Sequence, residues 1–369
     1  MKLKIKKQLL EEELITYASD HIDLPENGVD CSEGCNPYGF PAKVEEVYKS
    51  FDIGRLGPYP HSQALYEAIH NYWKDVIDVE KGNIALADGS INALYIINNI
   101  FDTHDTKVLG ISPQFTDYYM HAKMTGLEYV PITLRKEDNY KLNVDEFLDE
   151  SITEDYNYLY IDNPNNPTGQ SVSIEDIERI VAKCLKHDIV VIVDEAYGDF
   201  MPKSNSAVAL FAKYPNLIVV RTLSKGFGLA GLRAGYIIAH KDMIAYMKKM
   251  INPYMIGELH RELAAAALSC DDHIEMSMQA FAEMKRQLAE ALDGDGRLHM
   301  AESLDTCSLC LLYHDEPSIR LKDEFVKRGI LVIDGNDFRG LDASSVRLRL
   351  PRKEEFGRVL EAVKEINRI

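Results

Sequence analysis

Between about residues 60 and 240, short apolar runs alternate with helical stretches along the chain. The runs at 83–87, 107–111, 158–161, 189–193 and 217–220 are rich in Val, Ile and Leu and show little polar alternation. Strands covered on both faces read this way, so the pattern predicts a largely parallel sheet flanked by helices. Parallel neighbours need crossovers, and the intervening helical stretches supply them. Ahead of this block, residues 6–17 carry the period of an amphipathic helix. An irregular stretch rich in Asn, Pro and Gly follows, to about residue 45. Beyond about 245 the character changes. A Met- and Ala-rich helical region covers 248–292 and ends at Gly294-Asp295-Gly296. Strands follow at 308–313, 330–333 and 346–350, with helices at 318–328 and 353–367. The pattern predicts a large α/β domain over 46–245 and a small α+β domain formed by 246–369 and 1–45.

Composition narrows the function. At 369 residues the chain exceeds the size of one growing core, which agrees with two domains. A net charge of -18 argues against nucleic acid, because polyanion binding needs clustered Lys and Arg. No window approaches eighteen consecutive apolar residues, so no membrane span is expected. The first residues, Met1 to Lys7, are basic but lack the apolar stretch of a signal peptide, and a cytoplasmic location is expected. The six cysteines read as reduced thiols. Cys307 and Cys310 have C-x-x-C spacing, but three apart on a strand they face opposite ways, and no metal site is expected.

Three segments carry candidate chemistry. In Thr222-Leu223-Ser224-Lys225-Gly226-Phe227-Gly228-Leu229-Ala230-Gly231-Leu232-Arg233, a lysine stands among glycines just past a strand. From there it reaches a ligand at the sheet's carboxyl edge. The hydroxyls of Thr222 and Ser224 and the Arg233 guanidinium suit a phosphate monoester. A lysine near Arg233, partly desolvated, suits Schiff-base chemistry; a glycine-rich surface turn is the alternative. Val193-Asp194-Glu195-Ala196-Tyr197 puts a carboxylate at a buried strand end. It needs a partner there, such as a protonated pyridine nitrogen, unless Asp194 simply caps a helix. Asn163-Pro164-Asn165-Asn166-Pro167-Thr168-Gly169 is a loop stiffened by two prolines, presenting Asn166 at the sheet edge. Two weaker signals join them. Asp88-Gly89-Ser90 opens a helix whose free N–H groups favour a phosphate, and Phe115 is placed to stack on an aromatic ring.

In this order and spacing, these residues resemble the fold-type-I enzymes that use pyridoxal 5′-phosphate. The resemblance is nearest to the subgroup of histidinol-phosphate aminotransferases and threonine-phosphate decarboxylases, from about residue 30 onward. It implies that Lys225 holds the cofactor as a Schiff base and shuttles a proton. It implies that Asp194 pairs with the pyridinium nitrogen and that Asn166 and Tyr197 bond the ring O3′. Thr222, Ser224, Arg233 and the Gly89-Ser90 amides would bind the phosphate, with Phe115 stacked on the ring. Tyr59, in Gly57-Pro58-Tyr59-Pro60, would reach the phosphate of a neighbouring subunit, implying a homodimer with shared sites. Arg347 would grip the substrate's anionic group, with Arg349 on the same strand face and not separable from it by period. Asn36 and Tyr59 are further candidates for substrate contact.

Some positions depart from that pattern. Ile333 stands where a second anion-binding arginine is usual, which puts a doubly anionic substrate in doubt. Asp88 replaces a common Asn and needs a compensating donor near the cofactor phosphate, and His61 replaces a common acidic residue. Phe338-Arg339-Gly340-Leu341-Asp342 is nearer the decarboxylase branch, whose His-Gly-Gly-Asn element is missing here. The reading is therefore an aminotransferase acting on an L-amino acid and a 2-oxo acid. Its alternatives are a decarboxylase on the same scaffold and a non-catalytic cofactor-binding regulator, the last without an attached helix-turn-helix domain.

Overall fold

A computed structural model describes residues 5–11, 13–16, 27–101, 105–153 and 155–369. Its centre is a seven-stranded sheet. In chain order the strands are β1 (Ile84–Ala87), β2 (Lys107–Ser112), β3 (Glu128–Thr133), β4 (Tyr158–Asp162), β5 (Val190–Asp194), β6 (Leu217–Thr222) and β7 (Gly235–Ala239). Their spatial order is β1-β7-β6-β5-β4-β2-β3. All neighbours run parallel except β7, which is antiparallel to both β6 and β1. The expected runs for β1, β2, β4, β5 and β6 are strands here. Two strands of this sheet were not expected from the sequence. β3 is an edge strand with Pro131 inside it, tolerated because an edge needs fewer ladder donors. β7 follows the glycine-rich lysine segment so closely that its own run is hidden in it.

Helices cover both faces, among them α1 (Gly89–Ile100) and α2 (Thr116–Thr125). The helix Ile174–Lys186 shows how the sequence directs them. Ser173 caps it by accepting from the Asp176 N–H, and Ile177, Ile180, Val181 and Cys184 form its buried stripe.

Residues beyond 297 form an antiparallel sheet from β8 (Leu298–Met300), β9 (Leu309–His314), β10 (Ile333–Asp334) and β11 (Ser345–Arg349). The N-terminal segment forms a separate two-stranded sheet, Val29–Asp30 pairing parallel to Ile330–Leu331. The helical region expected over 248–292 is two helices, Glu258–Leu268 and Asp271–Leu292. Pro253 and Gly257 fall before the first, where no regular helix continues. The helix expected over 6–17 is likewise shorter, Gln8–Glu11. Leu9, Leu10, Leu14 and Ile15 are exposed, so no buried apolar stripe sustains a longer helix there; Glu12 and Tyr17 lie outside the described residues. Among the described residues no helix is long and apolar enough to cross a membrane.

Candidate active site

The carboxyl ends of β4, β5 and β6 open onto a cavity of about 300 Å³. Ser90, Phe115, Asn166, Asp194, Tyr197, Ser224, Lys225 and Arg233 line it, together with Asp117 and Asp162. Strand ends in a parallel sheet leave such a crevice because the crossover loops diverge there.

Asp194 is the last residue of β5 and is 2% exposed. Its carboxylate accepts from the Tyr160 hydroxyl at 3.0 Å and from the Ala196 N–H at 3.0 Å. It forms no ion pair among the described residues. Burial, and then the neighbouring Asp162, push it up to about 7. Asp162 is the in-register partner of Asp194 on β4. Burial raises it to about 6, held down by bonds from the Asn166 N–H, the Asn165 amide and the Gln114 amide. Those bonds tie the loops that carry Asn166 and Phe115 to one carboxylate.

Tyr197 is buried, and its hydroxyl has no hydrogen-bond partner among the described residues. Lys225 Nζ lies 5.5 Å from the centre of its ring. The Lys225 loop is pinned by its own carbonyl, which accepts from the Asn36 and Gly228 N–H groups. Gly34 covers this corner. A Cβ there would overlap the Tyr197 hydroxyl and sit 3.2 Å from Lys225 Nζ, so only glycine fits so close an approach.

At the other end Gly89, with φ +73°, begins α1. A Cβ on it would lie 2.6 Å from Arg233 Nη2. Arg233 itself adopts the left-handed region at φ 53°, after a short turn at Ala230–Leu232. Its guanidinium donates to the Asp88 carbonyl at 3.1 Å and lies 3.5 Å from the Asp88 carboxylate. The unusual Asp88 thus has a cation beside its carboxylate at ion-pair distance, though Oδ1 itself accepts no hydrogen bond among the described residues. Thr222 stands behind the lining, its Oγ1 2.8 Å from Ser224 Oγ and donating to the Ala234 carbonyl.

The two strand arginines separate. Arg347 donates to Asn166 Oδ1 at 3.1 Å and to the Ser32 carbonyl, beside the cavity. Arg349 is spent on the carbonyls of Glu33, Leu350 and Asp30, and so works as a staple for the 30–34 segment. Ile333 pairs with Arg347 across the sheet. Asn36, expected to contact substrate, is instead an anchor. Its buried amide donates to the Gly226 carbonyl at 2.9 Å and to Ser277 Oγ at 2.8 Å, as a buried amide must find partners. Tyr59 lies outside the cavity, 71% exposed and stacked on Tyr254 at 4.6 Å. His61 meets the edge of the same Tyr254 ring, which gives that substitution a packing role.

The residues suit a planar, phosphorylated pyridine. Among the described residues a buried carboxylate lacks a cation and a buried phenol lacks a partner, and a helix N-terminus faces an arginine across a glycine. The family described as aminotransferase class I and II matches residues 30–363. The chain belongs to that family. These aminotransferases depend on pyridoxal phosphate. The histidinol-phosphate aminotransferase of Methanococcus aeolicus is 31% identical over 333 residues, covering 90% of this chain and 88% of the relative. That of Ruminiclostridium cellulolyticum is 33% identical, over 70% and 71%. The crystal structure of the histidinol-phosphate aminotransferase from Clostridium acetobutylicum superposes with a TM-score of 0.81 at 25% identity, covering 92% of this chain and 99% of that one. This aminotransferase also shares its fold with an aspartate aminotransferase mutant of Thermus thermophilus, at a TM-score of 0.82 and 19% identity. Sequence reasoning names Lys225, Asp194, Ser224 and Arg233, which the structure brings into one cavity. It missed Gly34, Asp117, Tyr160 and Asp162, which carry no motif of their own.

Proposed function

We propose that this aminotransferase works through Lys225, with Asp194, Tyr197 and Asn166 setting the cofactor's ring and Ser90, Ser224 and Arg233 its phosphate. The observation that carries this reading is the buried Asp194 carboxylate, without a counter-ion among the described residues, in one cavity with Lys225 and Arg233. Bound pyridoxal phosphate supplies an electron-withdrawing ring that stabilises charge at the substrate's Cα. Asp194 keeps a positive charge at the ring nitrogen. Tyr197 and Asn166 offer donors where the ring oxygen lies, and Phe115 covers a ring face. Lys225 Nζ takes the proton from Cα and returns it at the carbon that accepts it. Arg347 orients the substrate carboxylate, and Gly34 leaves room for it beside Tyr197.

Exposed Tyr59, Ile53, Leu56 and Tyr254 support a homodimer in which Tyr59 serves the neighbouring site. The test is a half-reaction. Protein loaded with cofactor is mixed with single L-amino acids, without an oxo-acid acceptor, and mass spectrometry follows cofactor and products. Conversion to pyridoxamine phosphate with a matching oxo acid is expected, and Lys225→Ala abolishes it. Carbon dioxide and an amine with unchanged cofactor would establish a decarboxylase instead.

A further inference from the structure

Asp117 is the second residue of α2 and lines the cavity. Its carboxylate accepts a hydrogen bond from Thr16 and lies within electrostatic reach of Lys225 and Arg347. A carboxylate in a helix's first turn is favourable anywhere on that turn, including the solvent side. Placing it in a half-buried pocket wall carries a desolvation cost that the helix alone does not require.

The cations around this carboxylate already have tasks. Under the assignment above, Lys225 serves the cofactor and Arg347 the substrate carboxylate. Arg233 is engaged with Asp88 at the phosphate end. Arg349 is held by three backbone carbonyls, and the residue facing Arg347 across the strand pair is the aliphatic Ile333. No other arginine or lysine lines the cavity among the described residues. Among the described residues, a substrate side chain entering here therefore meets a carboxylate and no unassigned cation.

We propose that Asp117 selects amino donors whose side chain carries a positive charge or an N–H donor, and disfavours those with a phosphate or second carboxylate. This rests on the assignment of Lys225 and Arg347 above. It sets the chain apart from relatives whose names specify a phosphorylated substrate.

The test uses the cofactor-loaded enzyme with L-arginine, L-glutamate and L-histidinol phosphate as donors. Binding is measured by calorimetry and turnover by the half-reaction. L-arginine is expected to exceed both anionic donors by about tenfold or more in affinity and in kcat/KM, the size of one hydrogen bond to a charged group. Asp117→Asn should bring the arginine-to-glutamate ratio to within about threefold, while Asp117→Glu keeps the order. A wild-type ratio near or below one overturns the proposal. So does an Asp117→Asn enzyme in which both donors fall together, since that is a structural effect. Failure of the underlying assignment reads differently: Lys225→Ala would then keep turnover, whatever the donor order.

Discussion

Two adjacent carboxylates at the carboxyl end of β5 lead opposite lives. Asp194 faces the cavity with only neutral donors around it, whereas Glu195, fully buried, faces the interior and a full set of partners. Glu195 pairs with Arg221 at 2.8 Å and accepts from Ser206 Oγ and the Ala207 N–H at 2.6 Å each. Arg221 reaches Asp199 as well and lies over the Trp73 ring. The alternation of a strand sends neighbours to opposite faces, so one pair of residues serves two purposes. A charge with its partners in place holds the scaffold. A charge left waiting is held for a ligand, and the scaffold around it bears the cost.

The comparison can be broken from either side. The largest effect is expected on activity: Asp194→Asn should lower turnover by about two orders of magnitude, as removal of a positioned electrostatic partner does. Thermal unfolding of the cofactor-free variant should be unchanged or raised, because a costly buried charge is gone. An equal loss of stability would show that Asp194 is scaffold after all. Arg221→Met should do the reverse. It leaves Glu195 and Asp199 buried without a cation and should cost about 3–5 kcal/mol in denaturant unfolding, with or without cofactor. A loss below about 1 kcal/mol would mean the triad is not holding the core. The smallest effect sharpens the contrast through pH. The folded-state value of Asp194 is raised to about 7 from an ordinary value of 3.8. Its protonated form therefore favours the cofactor-free fold at low pH, and this contribution is lost as pH rises from about 4 through 7. Asp162, raised to about 6, acts in the same direction. Cofactor-free stability measured from pH 5 to 8 should fall, and fall less in Asp194→Asn.

The parts legible in the sequence were those whose chemistry is local. Lys225, Asp194 and Asn166 each follow a strand by a few residues, so a strand and a short motif suffice to place them at one sheet edge. β3 was hidden by its proline, and β7 by the glycines before it. Gly34 could not be found the same way, because its neighbours Tyr197 and Lys225 are more than 160 positions away. Asn36 looked like a ligand contact because it lies in the same stretch, yet its bonds to Gly226 and Ser277 are set by tertiary packing. Period two put Arg347 and Arg349 on one face. Only the carbonyls of Asp30 and Glu33 tell the staple from the site residue.

That staple fixes an order in time. The Cys31 carbonyl accepts from the Arg349 N–H, and the Arg349 side chain grips the carbonyls of Asp30 and Glu33, so the glycine ceiling over the lysine is fastened by β11, more than a hundred residues further along the chain than the lysine. A nascent chain has synthesised the lysine, the carboxylate and the phosphate cradle long before it can roof them. The reactive amine stays uncovered until Arg349 has been made and has closed on the 30–34 segment.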